Sequence, residues 1–190
     1  MTDNRLKRAL PFIATLLVLA ATAWQLHHQG RLWWCSCGRF LFWSSDAWSS
    51  ETSQQFLDPY SFTHILHGMA FYGLLALTVR RLPLRWRFWL AIVIESLWEV
   101  IENTNLVIQR YRETTAALGY QGDSVVNSLG DILACGLGFW LARMLGFRRS
   151  VILFVLIESM LLLVIRDSLI LNIVMLIYPI DALKAWQAGH

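Results

Sequence analysis

Glu95, Glu99 and Glu102 are spaced by four and three residues in an otherwise apolar stretch. At about 100° per residue, all three project within about a 60° arc of one helix. Three like charges on one stripe repel, so some must be protonated, paired with cations or bound to a metal ion. Partners of the right type lie in neighbouring stretches. His64 and His67, three residues apart, share a face, and Asp123, Asn127 and Asp131 recur every four residues with Ser124 and Ser128 alongside. Mixed imidazole and carboxylate ligands suit zinc, manganese or iron, and a bound ion would relieve the repulsion while activating water. The expected metal-ligating set is His64, His67, Glu95 and Glu99, with a divalent ion as the one cofactor the residues suggest. Without a metal, His67, Glu99 and Asp131 are the catalytic candidates, a histidine and carboxylates working as general base and acid. Glu102, Asn103, Asp123, Asn127, Ser128 and Glu158 are expected to complete a polar network around them.

Simpler readings stand beside these. Asp58-Pro59 has the form of an N-cap followed by the proline favoured at the first helical position, and Asp123 reads first as another cap. Glu102 and Asn103 can simply end a helix in the headgroups, and His64 can be a hydrogen-bonded core histidine. No Gly-x-Ser-x-Gly elbow accompanies Ser124 or Ser128, so no nucleophile is evident.

The elements that must position these groups are membrane helices. The chain has 190 residues, 56% hydrophobic and 15% charged, with ten Trp, ten Phe and a mean hydropathy of +0.48. That composition departs from soluble domains. Apolar runs at residues 9–26, 62–79, 88–101, 124–145, 151–165 and 169–180 predict an all-α polytopic transmembrane bundle of about six helices, a single domain over residues 1–190. Ala21-Thr22-Ala23 resembles a signal-peptide cleavage site, but an uncleaved first span is the preferred reading. With the N-terminus inside, eleven Lys and Arg fall on the cytoplasmic side and five outside. This favours both termini in the cytoplasm. Basic residues clustered beside apolar helices account for the net charge of +3 and give no sign of nucleic-acid binding. Histidines, glutamates and aspartates then occupy similar depths in the outer half, with His67 and Asp131 each roughly 12 Å along its helix. Ionisable groups at such depth are costly and mark functional sites or internal networks.

The outer segment of about residues 27–60 contains Trp33, Trp34, Trp43 and Trp48, suited to an interfacial belt. It also contains Cys35 and Cys37. One intervening residue closes a small ring, so free thiols or a labile redox pair are expected before a structural disulfide. His27, His28, Cys35 and Cys37 match no zinc spacing. Cys135 reads as a small packing residue, and the row Gly130, Ala134 and Gly138 permits close approach of another helix.

The stretches from Asp58 to Gly68, Glu95 to Asn103 and Gly122 to Ser128, with Cys35-Ser36-Cys37-Gly38, Arg110-Tyr111-Arg112 and the end from Arg166-Asp167 to Asp181, resemble a family of bacterial multi-pass inner-membrane proteins of the uncharacterised-protein-family type. The resemblance covers nearly the whole chain and implies an inner-membrane location without supplying an activity. A looser likeness is to VanZ-like membrane proteins, in which His67, Glu95 or Glu99, and Asn127 through Gly138 would occupy the corresponding positions; it implies an envelope or cell-surface role. Three functions follow. One is a membrane-embedded enzyme acting on an envelope or lipid-linked substrate. Another is a structural or partner-binding component of the bilayer held by a polar network, and the third is a small transporter or proton relay, for which a homo-oligomer would compensate for small size.

Overall fold

Helices that face each other through glycine can bring their backbones into contact. One such pair organises this protein. The computed structural model describes residues 2–115 and 119–189, with side chains from residue 9 onward. It contains α1 (Thr2–His28), α2 (Ser61–Thr78), α3 (Leu84–Glu102), α4 (Asn105–Thr114), α5 (Val125–Leu145), α6 (Phe147–Ile165), α7 (Leu169–Ile177) and α8 (Asp181–Ala188). A Cβ added at Gly68 of α2 would lie 1.9 Å from the Cys135 carbonyl oxygen of α5, and one at Gly138 would lie 1.9 Å from that of Ile65. Gly130 meets the Phe56 carbonyl in the same way, at 2.0 Å. The small-residue row of α5 is therefore the seat of α2 and of the loop leading into it.

Around this pair, α3 packs through Ala91 against Leu75 and Phe139, and α6 through Phe154 and Ile157 against Leu66 and Met69. The end of α1 packs through Ala23 and Leu26 against Val125 and Val100. Of the cleavage-like residues, Thr22 and Ala23 are thus buried while Ala21 is exposed. The basic start, Arg5, Lys7 and Arg8, has side chains outside the described residues.

All eight helices among the described residues correspond to the six apolar runs plus two elements that hydropathy does not reveal, α4 and α8. Both are short and polar on one side. The chain breaks at Asn103-Thr104, where the Thr104 hydroxyl accepts the Val107 amide and starts α4. The sixth run also differs from expectation. Arg166 takes a left-handed conformation at φ 52°, and α7 leaves α6 at 71°. With nine residues, α7 extends only about 14 Å at 1.5 Å per residue, less than half of a ~30 Å hydrocarbon core. It ends before Pro179, and α8 turns back so that the Arg166 guanidinium donates to the Trp186 carbonyl at 3.1 Å. Arg110 of α4 donates to the Leu176 carbonyl at 2.9 Å, and Lys184 of α8 donates to the Glu113 carbonyl. The α7–α8 segment therefore lies against α4, at the end of the bundle opposite the turn between α2 and α3.

Ala9–His28 and Val125–Leu145 are long and apolar enough to cross a membrane, and the bent pair of α6 and α7 becomes a third if it counts as one span. Histidines in α2 and glutamates in α3 dilute the apolar character of those two helices. The outward faces nevertheless stay greasy: Leu77, Phe147 and Leu163 are each more than four-fifths exposed, as expected of surface in contact with lipid rather than water.

Candidate functional site

Between α2, α3 and α5, the predicted stripes converge. Glu95 and Glu99 are wholly buried, with 0% exposure, and Asp131 and His64 nearly so. His64 Nδ1 lies 2.5 Å from Glu95 Oε1, and His67 Nδ1 lies 3.0 Å from both oxygens of the same carboxylate. On its other edge, His64 Nε2 is 3.9 Å from Asp131 Oδ2. Asp131 is held by the Ser61 hydroxyl, which donates to Oδ1 at 2.6 Å. Helical spacing places the donors on one face of each helix, and the glycine contact between α2 and α5 draws two of those faces together.

Glu99 is different from its neighbours. Its Oε1 is 3.3 Å from His64 Nδ1 but outside hydrogen-bonding geometry, because that nitrogen is already directed at Glu95. Neither Glu99 oxygen has a hydrogen-bond partner. An ionised carboxylate buried without donors is strongly unfavourable. Two sets of three residues bring ligand atoms within 4.8 Å of one another: His64, His67 and Glu95, and His64, Glu99 and Glu102. In a tetrahedral zinc site with bonds of ~2 Å, ligand atoms sit roughly 3.3 Å apart, so small rotations of these side chains would accommodate an ion.

Around the cluster, several residues that the sequence offered as site members serve as clamps. Asp58 is not an N-cap. It precedes Ser61 by three residues, and its carboxylate accepts the Ser53 and Tyr60 amides at 2.6 and 2.7 Å, tying the loop to the start of α2. Burial raises its carboxyl above the ordinary range, while these two amides pull it back. Asp123 is not the cap of α5 either; Ser124 is, accepting the Asn127 amide at 3.2 Å. Asp123 locks Asn103 reciprocally, accepting from Asn103 Nδ2 at 2.8 Å while its own amide donates to Asn103 Oδ1 at 2.6 Å. Its carboxyl is also raised, by burial first, with the Asn103 and Tyr120 hydrogen bonds opposing. Asn127 donates to the Gln55 carbonyl at 2.8 Å, and Ser128 is buried beside Asn103. Glu158 is separate from the cluster: it accepts the Leu169 and Ile170 amides, capping α7 across the bend.

The sequence reading missed three contributors. Glu102, expected only in the polar network, joins a candidate ligand set and stands beside Tyr111 of α4. Cys135, read as packing, is buried next to Glu95. Trp98 lies edge-on to His67 at 6.3 Å, opposite the stacked Phe71 at 5.8 Å. Nothing short of the helix rotations could have shown which aromatic ring faces His67. The two histidines, Glu102 and Asp131 line a cavity of about 1170 Å³. Its remaining wall includes apolar residues of α3 and α7, among them Leu97, Ile101 and Ile173, about half exposed to the exterior.

Among the described residues, His27, His28, Cys35 and Cys37 join no group that could hold a metal ion. Cys35 and Cys37 are joined in a disulfide, with their Cα atoms 5.2 Å apart across the turn, so of the two expected states they are not in that of free thiols. His27 Nδ1 faces the Arg31 carbonyl instead.

Residues 26–189 match the family model described as "Protein of unknown function (DUF2585)". Curated relatives named UPF0314 protein include one from Paracoccus denitrificans, 43% identical, with the alignment covering 96% of this chain and 95% of the relative. Those from Rhizobium meliloti and Sinorhizobium fredii are 44% and 46% identical, each covering 98% of this chain and 95% of the relative. No solved structure matches the chain significantly. These matches lend no support to the VanZ-like resemblance. With an alignment running nearly end to end and the family model spanning all but the first helix, the chain belongs to the DUF2585 family, the UPF0314 proteins.

Proposed function

We propose that this protein is a multi-pass inner-membrane protein whose buried His64, His67, Glu95 and Glu99 hold a divalent metal ion, at a site open to the outer side of the bilayer. The observation that carries the reading is Glu99, a fully buried carboxylate with neither oxygen hydrogen-bonded, 3.3 Å from a histidine nitrogen. A cation is the group that satisfies such a carboxylate without further donors. When bound, the ion supplies an activated water or a polarised substrate oxygen. Without an ion, His67, the more accessible of the two histidines and bordered by the cavity, sits where a proton can be taken up or given back, with Glu95 orienting its ring. Asp131 fixes His64 from the opposite edge. The cavity joins this polar floor to an apolar wall of α3 and α7, which suits an amphiphilic, lipid-linked envelope substrate. Because Asp58, Asn127 and Glu158 are engaged in holding backbone and Asp123 in holding the Asn103 and Tyr120 side chains, they support the site rather than enter the chemistry.

Elemental analysis of detergent-purified protein, prepared without chelators, tests this directly. Close to one equivalent of zinc, manganese or iron per chain is expected, removable by chelator and restored by the ion. Less than about a tenth of an equivalent, with no thermal stabilisation by any of the three added ions, would sink the metal reading.

Orientation follows from the basic residues and from the bend after α6. On this reading α1, α2, α3, α5 and α6 cross the bilayer, with the N-terminus in the cytoplasm and α7–α8 on the outer side, where the count of basic residues by itself had favoured both termini inside. The basic residues tolerate this arrangement: moving Lys184 outside leaves ten inside against six. Alkaline phosphatase fused after residue 189 is therefore expected to be active in cells and a fluorescent protein that folds only in the cytoplasm to stay dark there; the opposite pattern would restore a sixth crossing.

A further inference from the structure

The Cys35–Cys37 bridge is placed differently from a structural staple. It closes a ring across a single residue, so it constrains little chain and the loop-closure entropy it can contribute is small. Its two sulfurs are unequal. Cys35 is buried at 3% exposure, whereas Cys37 is exposed, and both line the cavity that reaches His64 and His67. Each sulfur has a donor. The Cys37 amide points at Cys35 Sγ at 3.2 Å, and the Gln55 side-chain amide points at Cys37 Sγ at 3.7 Å. Gln55 is itself wholly buried, its Oε1 held by the Leu41 amide at 2.7 Å, so its donor is fixed in position. The nearby Glu51 carboxylate, which would oppose a thiolate, is paired with Arg39 and accepts from the same Gln55 side-chain amide at 3.2 Å, which leaves that amide's second hydrogen for Cys37. Donors directed at both sulfurs favour the reduced thiolates over the disulfide and make each cysteine a better leaving group.

We propose that Cys35–Cys37 is a thiol–disulfide exchange pair that accepts two electrons from a dithiol on a polypeptide at the mouth of the cavity. An incoming thiolate attacks Cys37 Sγ, the accessible sulfur. The Cys35–Cys37 bond breaks, and its electron pair leaves with Cys35, whose thiolate takes the hydrogen bond from the Cys37 amide. The second thiolate of the substrate then attacks the substrate sulfur of the mixed disulfide and releases Cys37 as a thiolate beside Gln55. The substrate ends oxidised to a disulfide and the pair reduced, with the two substrate protons passed to solvent or to the new thiolates. This chemistry is independent of any metal at His64 and Glu99, so its failure leaves that reading untouched.

The test uses the full-length protein in detergent, equilibrated in buffers of varied reduced-to-oxidised glutathione ratio, acid-quenched, and labelled with maleimide after denaturation. Cys135 contributes one label throughout, so the pair is read as a step from one label to three. Half-reduction within the accessible range of glutathione ratios is expected, where structural disulfides remain oxidised. Gln55→Glu, which keeps the acceptor for the Leu41 amide but removes the donor to Cys37 and sets a second carboxylate beside Glu51, is expected to require at least about a tenfold more reducing ratio, the loss of one hydrogen bond to a charged sulfur being the lower bound. Cys35→Ser should accumulate a glutathione adduct on Cys37, while Cys37→Ser leaves Cys35 unmodified. Mixed with one equivalent of a reduced two-cysteine peptide, the oxidised protein should yield one equivalent of peptide disulfide. A pair that stays oxidised at every ratio while the protein elutes as a folded species would overturn the proposal, as would adduct formation on Cys35 in preference to Cys37.

Discussion

Glu99→Gln and His67→Ala are expected to remain inserted and folded while losing the bound ion, with affinity falling at least about 100-fold. Loss of an outer-shell partner alone costs about 10- to 100-fold, so removal of a direct ligand sets the lower bound there. Glutamine has the shape of glutamate without its charge. Because neither oxygen of Glu99 is hydrogen-bonded in the protein, the substitution breaks no existing hydrogen bond and relieves a desolvated charge. Metal-free Glu99→Gln should therefore unfold at or above the temperature of metal-free wild type, and the increment that metal adds to the wild type should vanish. His67 is the converse case. It is half-buried between Phe71 and Trp98, and alanine there opens a space next to an existing cavity rather than inside a closed core. Metal content after size-exclusion, read beside thermal unfolding with and without the ion, separates the possibilities. Variants that keep a full equivalent of metal would place the ion elsewhere. Variants that aggregate or fail to accumulate would identify a structural network in place of a site.

Gly68→Ala is expected to abolish most of the folded protein, whereas Gly73→Ala, five residues along the same helix, is expected to be neutral or slightly stabilising. The chemical change is identical in both. At Gly68 the new methyl group would fall 1.9 Å from the Cys135 carbonyl and 2.7 Å from the Phe139 amide, both backbone atoms that no rotamer change can move. Relief requires α2 and α5 to separate, which costs about 3 kcal/mol or more. Nothing lies within 4 Å of the Cβ position at Gly73, so only the helix propensity counts there, a gain of up to about 1 kcal/mol. Any surviving Gly68→Ala protein should also hold metal weakly, since parting the helices draws His64 away from Asp131, now 3.9 Å apart. Folded yield in detergent and unfolding midpoints for the two variants measure the contrast; equal behaviour would show that the backbones of α2 and α5 are not in contact.

Which side chains share a helix face was determined by spacing alone. Period 3.6 puts Glu95, Glu99 and Glu102 on one stripe and Asn127 and Asp131 on another whatever the helices pack against, whereas Asp123, expected on the second stripe, precedes the Ser124 cap and lies outside the helix. The glycine row of α5 likewise had to be a contact seam, because a helix without side chains on one face leaves its backbone open to a neighbour. Tertiary structure decided which of these polar groups were left for chemistry. Asp58, Asp123 and Glu158 carry the same carboxylate as Glu99, but Asp58 and Glu158 found backbone amides, and Asp123 the Asn103 side-chain amide and Tyr120 hydroxyl, in loops and helix ends that periodicity does not describe. Glu99, fixed mid-helix where every amide is already committed, found none. The short helices α4 and α8 and the bend at Arg166 escaped the sequence for a related reason. Their positions depend on long-range bonds from Arg110, Lys184 and Arg166 to distant carbonyls, and hydropathy, a sum over neighbours in the chain, carries no record of neighbours in space.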